Sequence, residues 1–338
     1  MTNQTLPPTQ VSVIIPCYNE VATIQPLLDA LYDQTYPRQA MEVVISDGGS
    51  TDGTQAAIER WQSTHPDLRV TVIVKPSRGI PAALNIALKA AKGTIIVRLD
   101  AHSKPNPEYV ARSVEALEAG KAENVGGVWD IQPGNERRIA RSIAAAAGHP
   151  IGVGDARYRY TDQAGYVDTV PFGAFHRDLL DRIGMFDETL LTNEDYEFNT
   201  RVQQSGGRIW LDPGIRSAYM ARDTLGALAK QYWRYGYWKV QMLRRYPETL
   251  RWRQALPPVF VAGLALLLLL SPYWKIAFWA LLAIAGLYIL ILCLAGIQLA
   301  LRKKDILMVP GVPLAIATMH FSWGTAFLWG LIHPPKSE

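Results

Sequence analysis

The first hundred residues alternate short β-branched runs with stretches of helical spacing. Segments 11–16 (VSVIIP), 41–46 (MEVVIS), 69–74 (RVTVIV) and 94–99 (TIIVRL) read as strands. Between them, 21–32, 54–64 and 82–91 carry apolar residues three and four apart and read as helices. Strands and helices in strict alternation predict βαβ units and a mostly parallel sheet. In such a sheet ligands bind beyond the carboxyl ends of the strands. Four polar clusters follow those ends, at 16–20, 47–53, 75–81 and 100–102.

The pattern then loosens. Helices are expected at 107–119, 142–147, 178–184 and 193–205, strands at 125–131 and 208–211, an extended segment at 168–175 and a loop at 148–160. Residues 224–246 mix Tyr232, Trp233, Tyr235, Tyr237 and Trp238 with Lys230, Arg234, Lys239, Arg244 and Arg245, a pattern read as interfacial helix. Three apolar stretches follow, 256–272, 276–300 and 306–332, each near the roughly 20 residues that cross a bilayer. Between Ala255 and Ala300 the only charged residue is Lys275.

This divides the chain into an α/β domain at 1–222, amphipathic interfacial helices at 223–254 and a membrane region at 255–338 with about three spans. Arg251 and Arg253 precede the first span, and Arg302, Lys303 and Lys304 separate the second from the third. The positive-inside rule therefore places the α/β domain in the cytoplasm, on the inner or plasma membrane, and the C-terminus outside. The N-terminus MTNQTLPPTQ has no basic region and no apolar run, so it does not read as a signal peptide. Two cysteines, Cys17 and Cys293, make no disulfide framework. The formal charge of +4 over 338 residues is modest, and no basic run with interleaved aromatics in the first 220 residues points to nucleic acid.

Each polar cluster has a chemical and a structural reading. Asp47 ends a strand before Gly-Gly-Ser-Thr-Asp-Gly-Thr. It can accept hydrogen bonds from a base edge or ribose, while Thr51 or Asp52 can simply cap the next helix. Arg78, before a helix, is placed to meet phosphate or to form a surface ion pair. Asn85, in that helix, is read as facing the same edge. Asp100 and His102 point the same way in an extended segment, and a carboxylate with an imidazole suits Mn2+, and Mg2+ less well. Glu194 and Asp195 open a helix, as a charge cap or as a general base.

Taken together, YNE (18–20), DGGSTDGT (47–54), RGIPAALN (78–85), LDAH (99–102) and NED (193–195) resemble family 2 glycosyltransferases, inverting enzymes of GT-A fold that use nucleotide sugars. Within them the chain is most similar to the membrane-bound, ExoA-like enzymes of succinoglycan biosynthesis. The resemblance implies that Pro16, Tyr18, Glu20 and Asp47 line the nucleoside pocket, with Asp47 at the uracil edge, and that Asp52 and Arg78 complete the donor site. It implies that Asp100 and His102 stand where the family has D-x-D and hold the divalent metal. Asp195 becomes the base, with Glu194 beside the acceptor. Gln231 and Arg234 stand in a degenerate Q-x-x-R-W, with Tyr235 for the tryptophan. The expected reaction moves a hexose, glucose foremost, from a UDP-sugar to a polyprenyl-diphosphate-linked saccharide. The alternatives are direct glycosylation of polyprenyl phosphate, ceramide or diacylglycerol, a non-catalytic nucleotide-binding membrane protein, and a processive synthase.

Overall fold

The computed structural model describes residues 11–76 and 79–334. The strands are β1 (Val11–Cys17), β2 (Met41–Asp47), β3 (Arg69–Val74), β4 (Ile95–Arg98), β5 (Lys104–Pro105), β6 (Asn124–Gln132), β7 (Gly165–Tyr166), β8 (Ala174–His176) and β9 (Ile209–Met220). The helices are α1 (Ile24–Tyr32), α2 (Thr54–Thr64), α3 (Ile80–Ala90), α4 (Tyr109–Glu118), α5 (Arg138–Ala147), α6 (Pro150–Val153), α7 (Leu179–Ile183), α8 (Glu194–Gln204), α9 (Leu225–Leu243), α10 (Trp252–Leu270), α11 (Lys275–Lys303) and α12 (Met308–Ile332).

Two compact units result: Met1–Asp130 with Thr161–Tyr219, and Ile131–Tyr160 with Met220–Glu338. The second crossing falls close to the expected boundary at 222. Residues 131–160, expected within the α/β domain, instead group with the C-terminal helices. The reason is apolar: α5 buries Ala140, Ile143, Ala144, Ala146 and Ala147, and packs on α12.

The first unit is one sheet among the described residues, in the order β3-β2-β1-β4-β8-β6-β9-β5, with β7 on β9. β3, β2, β1 and β4 are parallel. From β8 onward the pairing turns antiparallel, so the sheet is mixed, with its parallel half where the βαβ pattern predicts it. Strands β1, β2 and β4 are buried at every residue, as a parallel sheet covered on both faces requires. β3 lies at the sheet edge, and its exposure largely alternates. Helix α1 buries Ile24, Leu27, Leu28 and Leu31, a single i, i+3, i+4, i+7 stripe. Each such side chain contributes roughly 1.5–3 kcal/mol by leaving water. Two strands differ from expectation. The extended segment 168–175 contributes only the start of β8, and the short strand at 208–211 is the beginning of the twelve-residue β9.

In the second unit α12 packs against α5, α9, α10 and α11. Two of its glycines make close approach possible: a Cβ on Gly324 would meet the Pro257 carbonyl at 2.6 Å, and one on Gly236 of α9 would meet that of Trp323 at 2.5 Å. Two described helices, α10 and α11, are long and apolar enough to cross a membrane by length and composition. They leave Leu266, Leu268, Leu269, Ile276, Leu287 and Ile289 exposed. The expected third span, α12, is not of that class. It carries Thr318, His320, Ser322 and Thr325, and it buries Val312, Ala315, Ile316 and Met319 completely against the other helices.

Candidate active site

The register of the parallel strands brings their carboxyl ends level. Cys17 pairs with Asp47, and Asp47 with Val74. The loops after β1 and β2 then lock together. Asn19, in the left-handed region at φ 55°, donates its N–H to Ser50 Oγ at 2.8 Å and accepts from the Thr51 N–H at 2.9 Å. Val21 donates to Asp52 Oδ2 at 3.0 Å, and Asp52 Oδ1 accepts from the Thr54 N–H at 3.0 Å. These bonds hold the Asp52 carboxyl below its usual range, with the Thr54 hydroxyl contributing most. Gly49 and Gly53 take φ of 89° and 96°, conformations that a side chain disfavours.

Asp47 is fully buried. Its oxygens accept from the Ser50 N–H at 3.2 Å, from Ser50 Oγ at 2.5 Å and from Gln55 Nε2. The carboxylate therefore holds its own turn, and a base edge would have to compete with Ser50 and Gln55. Pro16 is buried within β1, and Tyr18 is 60% exposed. Asn85 does not face the loop edge. It is buried and clamps the Phe186 backbone through both amide atoms. Arg78 lies outside the described residues. Gln231 and Arg234 stand on α9 of the second unit, Gln231 buried and donating to Tyr235 Oη at 3.1 Å, Arg234 exposed.

The centre of the site is a residue that the motifs did not single out. Arg98 ends β4 with its side chain 2% exposed. Its Nη1 donates to Asp195 Oδ2 at 2.5 Å, and its Nη2 donates to Asp100 Oδ1 at 2.8 Å and Glu194 Oε1 at 3.0 Å. Its face lies 4.9 Å from the centre of the Phe172 ring. One guanidinium thus joins the D-x-H aspartate to both acids of the N-E-D motif, 96 and 97 residues further along the chain. Only a planar fork of donors makes that bridge. Among the described residues Arg98 Nε and Asn124 Oδ1 have no hydrogen-bond partner, and these two residues line one small cavity with Asp195 and Asn199. That cavity is polar enough for a water.

Backbone strain collects beside this hub. Phe172 has φ 52° and Asn193 φ 71°. Left-handed backbone is uncommon for an aromatic residue and persists only where its surroundings over-determine it. Here the Phe172 N–H donates to Asp195 Oδ2 at 3.4 Å, and its carbonyl accepts from the buried Tyr109 hydroxyl at 3.0 Å. Burial pushes the Asp195 carboxyl up to about 7, against the pull of Arg98 and with help from Glu194 and Asp100. Arg98 itself is held protonated: burial opposes its charge, and the three carboxylates outweigh it.

His102, half exposed, bridges the first and fourth loops. Its Nδ1 lies 3.1 Å from Glu20 Oε1, and its Nε2 lies 3.9 Å from Asp100 Oδ2. Burial raises the Glu20 carboxyl, but hydrogen bonds from His102 and Thr23 more than reverse this and leave it lowered. Among the described residues no group of three His, Cys, Asp or Glu side chains forms a metal cage. The residues nevertheless fit a cation that keeps most of its shell for substrate and water. Three carboxylates share one guanidinium, which leaves the cluster negative, and Asp100 Oδ2 faces His102 rather than Arg98.

A family-wide comparison matches residues 12–184 to glycosyl transferase family 2. The chain belongs to this family. Among curated relatives, the succinoglycan biosynthesis protein ExoA of Rhizobium meliloti is 29% identical over 97% of this chain and 96% of its own. A Methanococcus voltae enzyme, named as a dolichyl N-acetyl-α-D-glucosaminyl phosphate 3-β-D-2,3-diacetamido-2,3-dideoxy-β-D-glucuronosyltransferase, is 26% identical over 95% of this chain and 97% of its own. The solved structure of the mannosyltransferase PcManGT from Pyrobaculum calidifontis, in complex with GDP-Man and Mn2+, matches with a TM-score of 0.63 at 24% identity. It covers 92% of this chain and 87% of that one, a likeness of fold. This family 2 enzyme is a glycosyltransferase with the GT-A arrangement of a mixed α/β sheet.

Proposed function

We propose that this glycosyltransferase is a membrane-anchored, inverting enzyme that moves a hexose, glucose foremost, from a UDP-sugar to a hydroxyl of a polyprenyl-diphosphate-linked saccharide, in the assembly of an envelope or exported glycan. The observation that carries the reading is the Arg98 bridge, which joins Asp100, read as the donor side, to Asp195, read as the acceptor side. Full-length similarity to a relative named for a dolichyl-phosphate saccharide supports the lipid-linked acceptor. Helices α10 and α11 support the anchor. Two spans return the chain to the side it started from. We therefore place both ends on the cytoplasmic side of the plasma or inner membrane, in place of the outward C-terminus that three spans imply.

In this reading Asp195 accepts the proton of the acceptor hydroxyl, whose oxygen attacks the anomeric carbon. The bond from that carbon to the nucleoside diphosphate breaks with the electron pair leaving on the diphosphate. One displacement inverts the configuration and needs no covalent nucleophile. Arg98 orients the Asp195 carboxylate. Glu194 stands beside the acceptor, and Tyr18, Glu20, Asp47, Asp52 and Arg78 line the donor side. Asp100 and His102 would hold a divalent cation, Mn2+ or Mg2+, which would supply positive charge at the donor diphosphate.

The test is transfer of labelled sugar from UDP-glucose to lipid extracts by the purified full-length protein with Mn2+, read by mass spectrometry. Extension of a lipid-linked saccharide is expected. Asp195→Asn should lower the rate about 10²–10⁴-fold, the usual contribution of a general base. A product carrying a single sugar on lipid would replace this acceptor with the lipid itself, and an unchanged rate in Asp195→Asn would remove the base.

A further inference from the structure

Charge is divided unevenly between the two units. The first holds sixteen lysines and arginines against twenty-four aspartates and glutamates, a balance of −8, and the second holds eighteen against six, a balance of +12. Part of that excess is concentrated at one place. The ion pair Arg141–Asp305, at 3.3 Å, ties α5 to the segment that follows α11. Close packing at Ser142 and Gly311, where an added Cβ would lie 2.2 Å from the serine oxygen, fixes the same contact. Arg137 and Arg138 lie within about one helical turn of Arg141, and Arg302, Lys303 and Lys304 directly precede Asp305, so the Arg141–Asp305 pair joins two basic runs some 160 residues apart in sequence. All five are exposed, and none forms an ion pair among the described residues. Of the two acids beside these runs, Asp305 is taken by Arg141, and the exposed Glu136 next to Arg137 offsets one of the five cations.

Local structure does not account for this cluster. Arg302 and Lys303 close α11, where the helix dipole favours cations. Arg137 and Arg138 open α5, where the dipole opposes them. With Glu136 counted, five cations against one free acid leave an excess of four positive charges, which repel one another unless further anions lie among them. Exposed apolar side chains are interleaved with them, Leu301 at 75% and Ile306 at 76%. The cluster also sits at the polar end of α11, where a helix crossing the bilayer emerges into the headgroups.

We propose that Arg137, Arg138, Arg302, Lys303 and Lys304 form a docking surface for the anionic phospholipid headgroups of the leaflet that α11 leaves. The surface rests on α11 crossing the membrane and is independent of the sugar chemistry, so its test does not use transfer as a readout. Full-length protein in neutral detergent is titrated with phosphatidylglycerol, phosphatidylcholine or inorganic phosphate, and binding is followed as the rise in melting temperature. A lipid that binds only the folded state raises it. Phosphatidylglycerol should bind more tightly than phosphatidylcholine, and the preference should shrink as salt rises from 0.05 to about 0.5 M. In Arg137→Gln/Arg138→Gln, which leaves the flank of α11 intact, phosphatidylglycerol affinity should fall about ten-fold. The five-residue glutamine variant should lose the preference. Equal binding of both lipids, or a preference retained in the double variant, overturns the proposal. Saturation by inorganic phosphate alone would assign the cluster to a free anion instead.

Discussion

The two units solve the same problem of apolar burial in opposite ways. In the first, the Val and Ile runs of β1, β2 and β4 are covered by the protein's own helices, and the side chains that remain at the strand ends are acids around one arginine. In the second, α10 and α11 carry longer apolar runs that stay uncovered, and the charged residues left over are mostly basic. An apolar run therefore does not announce its solvent. What distinguishes them is whether polar residues at the ends converge on a substrate-sized edge or mark the edge of a bilayer.

The largest expected effect breaks the first unit at its hub. Arg98→Met leaves three carboxylates without their cation and should cost about 3–5 kcal/mol, as removal of one partner of a buried pair does. Thermal unfolding of the full-length protein checks this, and Arg98→Lys should recover part of the stability but not the bridging geometry. A comparable change in the second unit should act through the membrane. Leu287→Arg, on the exposed face of α11, should weaken insertion by about 2.5–3.5 kcal/mol, read as protein lost from the membrane fraction, without a change in unfolding of the first unit. If instead it collapses the whole chain, the contrast between the two kinds of burial fails.

The pH dependence sharpens the same contrast. Burial raises the Asp195 carboxyl to about 7, so the proposed base carries its proton below that pH and is free above it. The kcat/KM for transfer should climb as pH rises through about 7. The sign for stability is opposite: a raised carboxyl favours the folded state below the ordinary carboxylate range, and that contribution is lost as pH rises through about 7. Asp195→Asn should abolish this part of the stability profile. The smallest effect is expected at the periphery of the site. His102→Ala should leave folding nearly intact while shifting the preference between Mn2+ and Mg2+ in transfer assays. An unchanged preference would make His102 only a partner of Glu20.

Much of the site was legible from pattern. Asp100 and His102 sit after β4, Asp47 at the end of β2, and Glu194 and Asp195 open α8, as a strand-helix alternation with polar ends implies. Arg98 was not legible. An arginine inside TIIVRL looks like a polar residue of a strand, and its meaning depends on two acids nearly a hundred residues later. Asp47 shows the converse. Its place was predicted, but the bonds from Ser50 and Gln55 give it a structural task that spacing does not reveal.

The chain by itself determined the local elements, the polar strand ends and the apolar runs, because each follows from periodicities of two or 3.6 residues and from turn-forming residues. Tertiary structure decided which charges meet. It brought Arg98 to Asp100, Glu194 and Asp195, grouped residues 131–160 with the second unit and packed α12 against α5, α9, α10 and α11. Those outcomes depend on contacts between distant segments. Their energy comes from burial and charge pairing in three dimensions, which no local window of sequence contains.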